Sequence, residues 1–284
     1  MKRLYFLAGS LSFLSVQGLF LAKIEPVATY FFVFVWWSYI ILVDGFIYWK
    51  KESSLISRLK GKFFLLILAS AGFWQFFEIL NLRIANWSYH GPSFFSLAGR
   101  IIFTLFAFGS VIPAILETNE FLHLIGIGRK MEFLQWDRSG YFLSQIEWGR
   151  PGYLWVALGI GMIIAALVWP SYFFWLVWIA IILIFDPMVE RQGGQSLFAE
   201  LREGKVRNFY LLLVTGLVCG LLWEAWNYWA GLKWVYNVPL VGRVKIFEMP
   251  VLGYLGFSVF AIECYVFYQW LGCQQSLLKR LIKK

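Results

Sequence analysis

Six carboxylates stand inside long apolar stretches of this 284-residue chain: Asp44, Glu78, Glu117, Asp186, Glu224 and Glu263. A charge in hydrocarbon costs about 2.5–3.5 kcal/mol on insertion scales, so such an acid marks a partner, a proton path or a reacting centre. Glu78 and Asn81 are three residues apart, as are Glu224 and Asn227, and each pair therefore shares one helix face. A carboxyl group desolvated in an apolar pocket favours its neutral form and can then protonate a substrate. An amide one turn away can orient that substrate. The same residues have a structural reading, with Glu and Asn as interhelical hydrogen-bonding groups and the Trp and Tyr that follow as an interfacial belt.

The acids belong to a pattern that occurs twice. Trp36 and Asp44 recur as Trp178 and Asp186. Glu78, Asn81, Trp87, Tyr89 and Pro92 recur as Glu224, Asn227, Trp234, Tyr236 and Pro239, and Glu117 recurs as Glu263. The offset stays between 142 and 147 residues, so few insertions separate the halves. Glu78 and Glu224 are the candidate acids, Asn81 and Asn227 the orienting amides, and Trp87, Tyr89, Trp234 and Tyr236 the binding aromatics. Asp44, Asp186, Glu117 and Glu263 are secondary candidates. Asp44 and Asp186 fall near the C-terminal ends of their helices, where the dipole disfavours an anion; ion pairing with Lys50, Lys51 or Arg191 is the expected relief.

The elements that must position these residues follow from composition. Hydrophobic residues make up 60% of the chain, charged residues 14%, and the mean hydropathy is +0.68. Globular chains carry about 25% charged residues. Several apolar runs reach the ~18 residues that span a bilayer as a helix, and none shows the two-residue alternation of a membrane barrel. The expected fold is an all-α integral membrane protein of about eight spans, at 4–22, 27–48, 63–83, 97–119, 153–169, 171–189, 209–231 and 249–271. Arg100 and Pro113 interrupt the fourth, which matches its repeat partner better if it runs on to about Ile125. The first span has no small-residue cleavage site after it and reads as a retained helix rather than a signal peptide.

Residues 1–119 and 151–284 then form two four-helix repeats, the second ending in a basic tail. The mixed connector 120–150 suits a cytoplasmic, interfacial amphipathic helix. An even number of spans in each unit inserts both the same way up, giving parallel repeats. With the N-terminus inside, 19 of the 25 Lys and Arg lie on inner segments. The positive-inside rule thus accounts for the net charge of +9. It places both termini in the cytoplasm, with the protein in the cell (inner) membrane. Scattered basic residues argue against a nucleic-acid partner. Three cysteines without a C-x-x-C, and two histidines on opposite sides, argue against a metal or haem site, and no nucleotide or cofactor motif occurs.

The segment Trp223-Glu224-Ala225-Trp226-Asn227, followed by Gly231, Trp234 and Tyr236, resembles a pattern in the membrane-embedded lycopene cyclases, the heterodimeric and fused carotenoid cyclases. The likeness covers roughly 220–270 and, more faintly, 73–117. It implies duplicated helical membrane units, a lipophilic isoprenoid substrate and acid-initiated cyclisation, with Glu224 and Glu78 at the family's first acid. The family's Pro-x-Glu-Glu motif is absent: after Pro250 the chain reads Val251-Leu252-Gly253. The leading expectation is a protein that binds or modifies a lipophilic isoprenoid or lipid, with that small molecule and membrane lipid as partners. The alternatives are a small-solute or proton-coupled transporter and a non-catalytic scaffold. Neither substrate nor oligomeric state is encoded in any motif.

Overall fold

The computed structural model describes residues 2–92, 96–133, 152–241 and 244–282. Its helices are α1 (Lys2–Leu21), α2 (Phe31–Lys51), α3 (Leu55–Leu59), α4 (Lys62–Ile84), α5 (Leu97–Gly109) and α6 (Val111–Leu124). They continue with α7 (Gly152–Val168), α8 (Pro170–Phe173), α9 (Val177–Arg191), α10 (Leu197–Arg202), α11 (Arg207–Trp229) and α12 (Tyr254–Ile282). Four short strands, β1 (Trp87–His90), β2 (Lys233–Tyr236), β3 (Lys245–Ile246) and β4 (Met249–Pro250), form two antiparallel pairs, β1 with β2 and β3 with β4.

Among the described residues, seven segments are long and apolar enough to cross a membrane. They are Lys2–Leu21, Phe31–Lys51, Lys62–Ile84, Leu97–Leu124, Pro170–Arg191, Arg207–Trp229 and Val251–Gln275. Gly152–Val168 is equally apolar but only 17 residues long. The chain is thus a helical, multi-pass membrane type of protein. The fourth segment runs to Leu124, past the expected limit at 119. Residues 120–124 of the expected connector therefore belong to α6, a 3-10 turn covers Arg129–Phe133, and the rest of the expected amphipathic helix lies outside the described residues.

The chain divides into two compact units, Met1–Ile125 with Val218–Tyr254 and Gly126–Leu217 with Leu255–Lys284. These cut across the sequence halves. Val218–Tyr254 groups with the first half because β2 pairs with β1 and because Trp36 packs its ring on Trp223 and Trp226, 5.3 and 4.8 Å between centroids.

In the first unit α1 buries only Gly9, while Leu4, Leu7, Leu11 and Leu14 are all more than half exposed, as a lipid-facing helix requires. Gly9 is where α1 meets α2: a Cβ there would lie 2.9 Å from the Ile41 carbonyl oxygen and the Leu42 Cα. Small residues allow this backbone approach where lipid removes the hydrophobic drive between helices. Helix α5 ends at Gly109 because Pro113, four residues on, cannot donate to its carbonyl and its ring collides with it. The interrupted backbone is completed from α4: Ser70 Oγ donates to Phe108 O at 2.7 Å and accepts from Ile112 N at 3.0 Å.

In the second unit Ile182, Leu197, Leu212, Ile262 and Val266 form a buried cluster. Gly159 of α7 meets α9 as Gly9 meets α2: its Cβ would lie 2.8 Å from Ala180 O and 2.7 Å from Ile184 Cγ1. Leu42 and Ile184 each stand two residues before a repeated aspartate, so the same helix contact recurs in both units.

Candidate functional site

Each repeated aspartate anchors the start of a short helix. Asp44 Oδ1 accepts from Ile56 N at 2.9 Å, and its Oδ2 accepts from Ser54 Oγ at 2.8 Å and Tyr5 Oη at 2.9 Å. Asp186 Oδ1 accepts from Leu197 N at 2.8 Å, and its Oδ2 from Ser196 Oγ at 2.7 Å and Phe198 N at 3.2 Å. Ser54 and Ser196 are the N-caps of α3 and α10. The free N–H groups of a helix start hold an anion without any lysine. The ion pair expected for Asp44 is therefore replaced by hydrogen bonds: Lys50 lies over the Trp49 ring at 4.2 Å, and Lys51 pairs with Glu120 at 3.7 Å.

The two Glu–Asn strings both lie in the first unit. Asn81 and Asn227 do the same thing. Asn81 Nδ2 donates to Trp87 O at 2.8 Å, and its Oδ1 accepts from Asn86 N at 2.8 Å and Trp87 N at 3.3 Å. Asn227 Nδ2 donates to Trp234 O at 2.8 Å and its Oδ1 accepts from Trp234 N at 2.9 Å. Each amide grips both backbone groups of one residue, as a neighbouring strand would, and so fixes where the strand leaves the helix. The loop is one residue longer in the second copy, which is why the offset grows from 146 to 147 there.

Strands β1 and β2 pair with Trp87 opposite Tyr236 and Tyr89 opposite Trp234. Alternate residues of a strand share a face, so these four aromatics stand together and Ser88 and Val235 stand on the other side. The Glu78 carboxylate accepts on one oxygen from Trp74 Nε1 at 2.8 Å, Trp87 Nε1 at 3.1 Å and Tyr89 Oη at 2.5 Å. Two indoles and a phenol make this a closed anion cradle. Trp74, one turn before Glu78, falls outside the repeated pattern because its counterpart at the same offset is Gly220.

The second cradle differs. Glu224 is fully buried, Trp234 and Tyr236 flank it together with the Glu248 backbone, and yet neither of its oxygens closes a hydrogen bond. Trp234 Nε1 is also buried without a partner. Trp234 packs edge-on against Phe32 at 4.7 Å. Both tyrosines titrate well above the ordinary value of 10.0, first because their hydroxyls are enclosed and then because of the Glu78 or Glu224 carboxyl beside them. Tyr89 keeps 46% of its surface exposed, while its hydroxyl lies among Glu78, Trp74 and Trp87.

Comparison with known protein families, with curated proteins and with solved structures finds no match. What the site can do thus rests on its own geometry. An open cleft of about 460 Å³ runs along the exposed side of Tyr89, lined also by Pro92, Ser96, Leu97, Arg100 and Leu232. It offers one cation, a hydroxyl and apolar walls, beside a phenol whose oxygen is bound to a carboxylate. In the sequence Arg100 interrupts an apolar run, and an arginine in the first turn of such a helix is the signal that marks this cleft. Glu117 and Glu263 are each fully buried with both oxygens unpartnered, the first in the first unit and the second in the other.

Proposed function

We propose that this protein binds or modifies a lipophilic isoprenoid or lipid at the cleft beside Tyr89, with Glu78 and Glu224 as its acidic groups. The supporting observation is the 2.5 Å hydrogen bond from Tyr89 to Glu78 at the wall of a cleft that also carries Arg100, Leu97 and Leu232. A cation next to apolar walls suits an amphiphile, whose polar end meets Arg100 and Tyr89 while its chain follows the leucines. Glu78 holds the tyrosine in place, and Asn81 and Asn227 act as positioning residues through the backbone they grip. Acid–base chemistry is assigned to Glu224, which is fully buried beside Trp234 and Tyr236 with neither oxygen closing a hydrogen bond. The likeness of Trp223–Tyr236 to the lycopene cyclases favours an isoprenoid among such molecules. This reading places the chain in the cell (inner) membrane with both termini cytoplasmic. Gly152–Val168 is its eighth span, and the two four-helix repeats are parallel.

A second reading, proton-coupled transport, draws on the three buried acids Glu117, Glu224 and Glu263, none of whose oxygens closes a hydrogen bond to an N–H or O–H. Mass spectrometry of molecules co-purifying with the wild-type protein and with Glu78→Gln, Glu224→Gln and Arg100→Ala separates the two. A defined lipophile enriched over bulk lipid, reduced by Arg100→Ala and altered in amount or structure by Glu224→Gln, supports the first reading. Bulk phospholipid alone in every sample, at equal yield, would sink it and favour transport assays in vesicles.

A further inference from the structure

Helices α2 and α6 run side by side in a register fixed by three contacts. Tyr39 Oη meets Thr118 Oγ1 at 2.9 Å, the Phe46 and Phe121 rings lie 5.6 Å apart, and Lys51 Nζ lies 3.7 Å from Glu120. From α3, Arg58 also holds Glu120 through two bonds of 3.0 and 2.6 Å. Within that register the Glu117 side chain comes within hydrogen-bonding reach of the Asp44 carboxyl, and both residues are fully buried. Asp44 already accepts three hydrogen bonds, from Tyr5, Ser54 and Ile56. Glu117 accepts none: neither of its oxygens meets an N–H or O–H. The polar group within its reach is the Asp44 carboxyl, and beyond it stand Glu120 and Arg58.

Two carboxylates cannot hydrogen-bond to each other, because each only accepts. One proton converts the repulsion into a short, charge-assisted bond, as in carboxylate pairs that share a site. Asp44, supplied with three donors, is the better anion; Glu117, supplied with none, is the better acid. We infer that Asp44 and Glu117 form a buried proton-binding site in which Glu117 carries the proton and donates it to Asp44. A metal cation fits less well, since hard cations take six or more oxygen ligands and most of the acceptor capacity of Asp44 is already used.

The other titratable groups around the pair include Tyr5 from α1, Tyr39 from α2, Arg58 from α3, Glu120 one turn along α6 with Lys51 of α2 3.7 Å from it, and Cys219 from α11, whose Sγ lies 3.3 Å from Thr118 Oγ1. Glu120, with a side chain 18% exposed, is the step between the buried pair and water. The site therefore takes up and releases one proton on the Glu120 and Arg58 side of the unit. It is separate from the Glu78 and Glu224 cradles and does not depend on the substrate reading.

Infrared spectroscopy of the full-length protein in H₂O and D₂O at neutral pH tests this. The wild type is expected to show a protonated-carboxyl carbonyl band with a deuterium shift. Glu117→Gln should lose one carboxyl's share of that band. Asp44→Asn keeps the Glu117 carboxyl but replaces the carboxylate that accepts its proton, so it should shift the band's frequency; this keeps the test open if one variant does not fold. Unchanged intensity in folded Glu117→Gln, or an unshifted band in folded Asp44→Asn, overturns the proposal. A wild-type band that appears only after sodium is removed also overturns it, in favour of a cation site.

Discussion

Trp87 stands directly opposite Tyr236 across the β1–β2 ladder, and Tyr89 opposite Trp234. The two strands come from corresponding places in the two halves of the sequence, and exchanging them maps Trp onto Trp and Tyr onto Tyr. The ladder thus binds the two acid cradles into one assembly, with each carboxylate addressed by aromatics from its own strand and each strand held by the asparagine of its own helix.

Asn81→Ala and Asn227→Ala should each destabilise the protein by about 1–3 kcal/mol, because both leave a strand's backbone groups unpaired. The larger loss is expected at Asn227, which is fully buried. Chemical denaturation in detergent, followed by tryptophan fluorescence, measures both. Equal stability of either variant and the wild type would show that the grip is not needed.

Trp74→Phe removes one of three donors from Glu78 and should cost about 1.5–3 kcal/mol, the range for bonds to charged groups. The ring contact at position 74 with Trp87, at 5.9 Å, survives the change, so a loss reports the indole N–H. In a Glu78→Gln background the cost of Trp74→Phe should shrink, since the amide oxygen of Gln accepts a weaker, neutral bond than a carboxylate does. A double-mutant cycle reads that coupling directly.

Ser54→Ala and Ser196→Ala should each cost about 1 kcal/mol, the usual worth of an N-cap. Each serine also donates to its aspartate, so the loss should exceed that of a cap alone. Thermal unfolding of the single variants checks this; no shift in Tm for either would refute a capping role.

Alkaline pH offers a test of the tyrosines. Tyr89 and Tyr236 titrate well above 10.0 in the folded chain. Between their unfolded and folded values the folded protein keeps protons that the unfolded chain has released. Their contribution is therefore whole below the unfolded value and is lost as pH rises through the folded one. Tyr89→Phe and Tyr236→Phe should each flatten the fall in stability that begins as pH rises past the unfolded value. Ultraviolet tyrosinate titration should place both hydroxyls among the last to ionise; early ionisation would contradict the enclosed geometry.

Long apolar runs made the helices legible, and Pro113 marked the break that Ser70 completes. The caps were legible too, had the offset of 142 been followed ten residues past Asp44 and Asp186 to Ser54 and Ser196. The strand pairing was not, because four residues carry too little alternation to announce a strand. Nor was the third donor to Glu78, since Trp74 is replaced by Gly220 in the other copy and a search for repeats passes over what is not repeated. The contact of Gly9 with Leu42 recurs at Gly159 with Ile184, but at offsets of 150 and 142. The helix pair was kept while the connecting loop changed length.

An antiparallel ladder between equivalent strands has two-fold symmetry, which is the symmetry of an isologous contact between identical chains. A chain carrying one such strand could complete this ladder only by meeting a second copy of itself. Carrying both strands on one chain makes the meeting intramolecular and independent of protein concentration. The two cradles on that ladder are nonetheless unlike: one holds Glu78 with a third donor, while in the other neither oxygen of Glu224 closes a hydrogen bond.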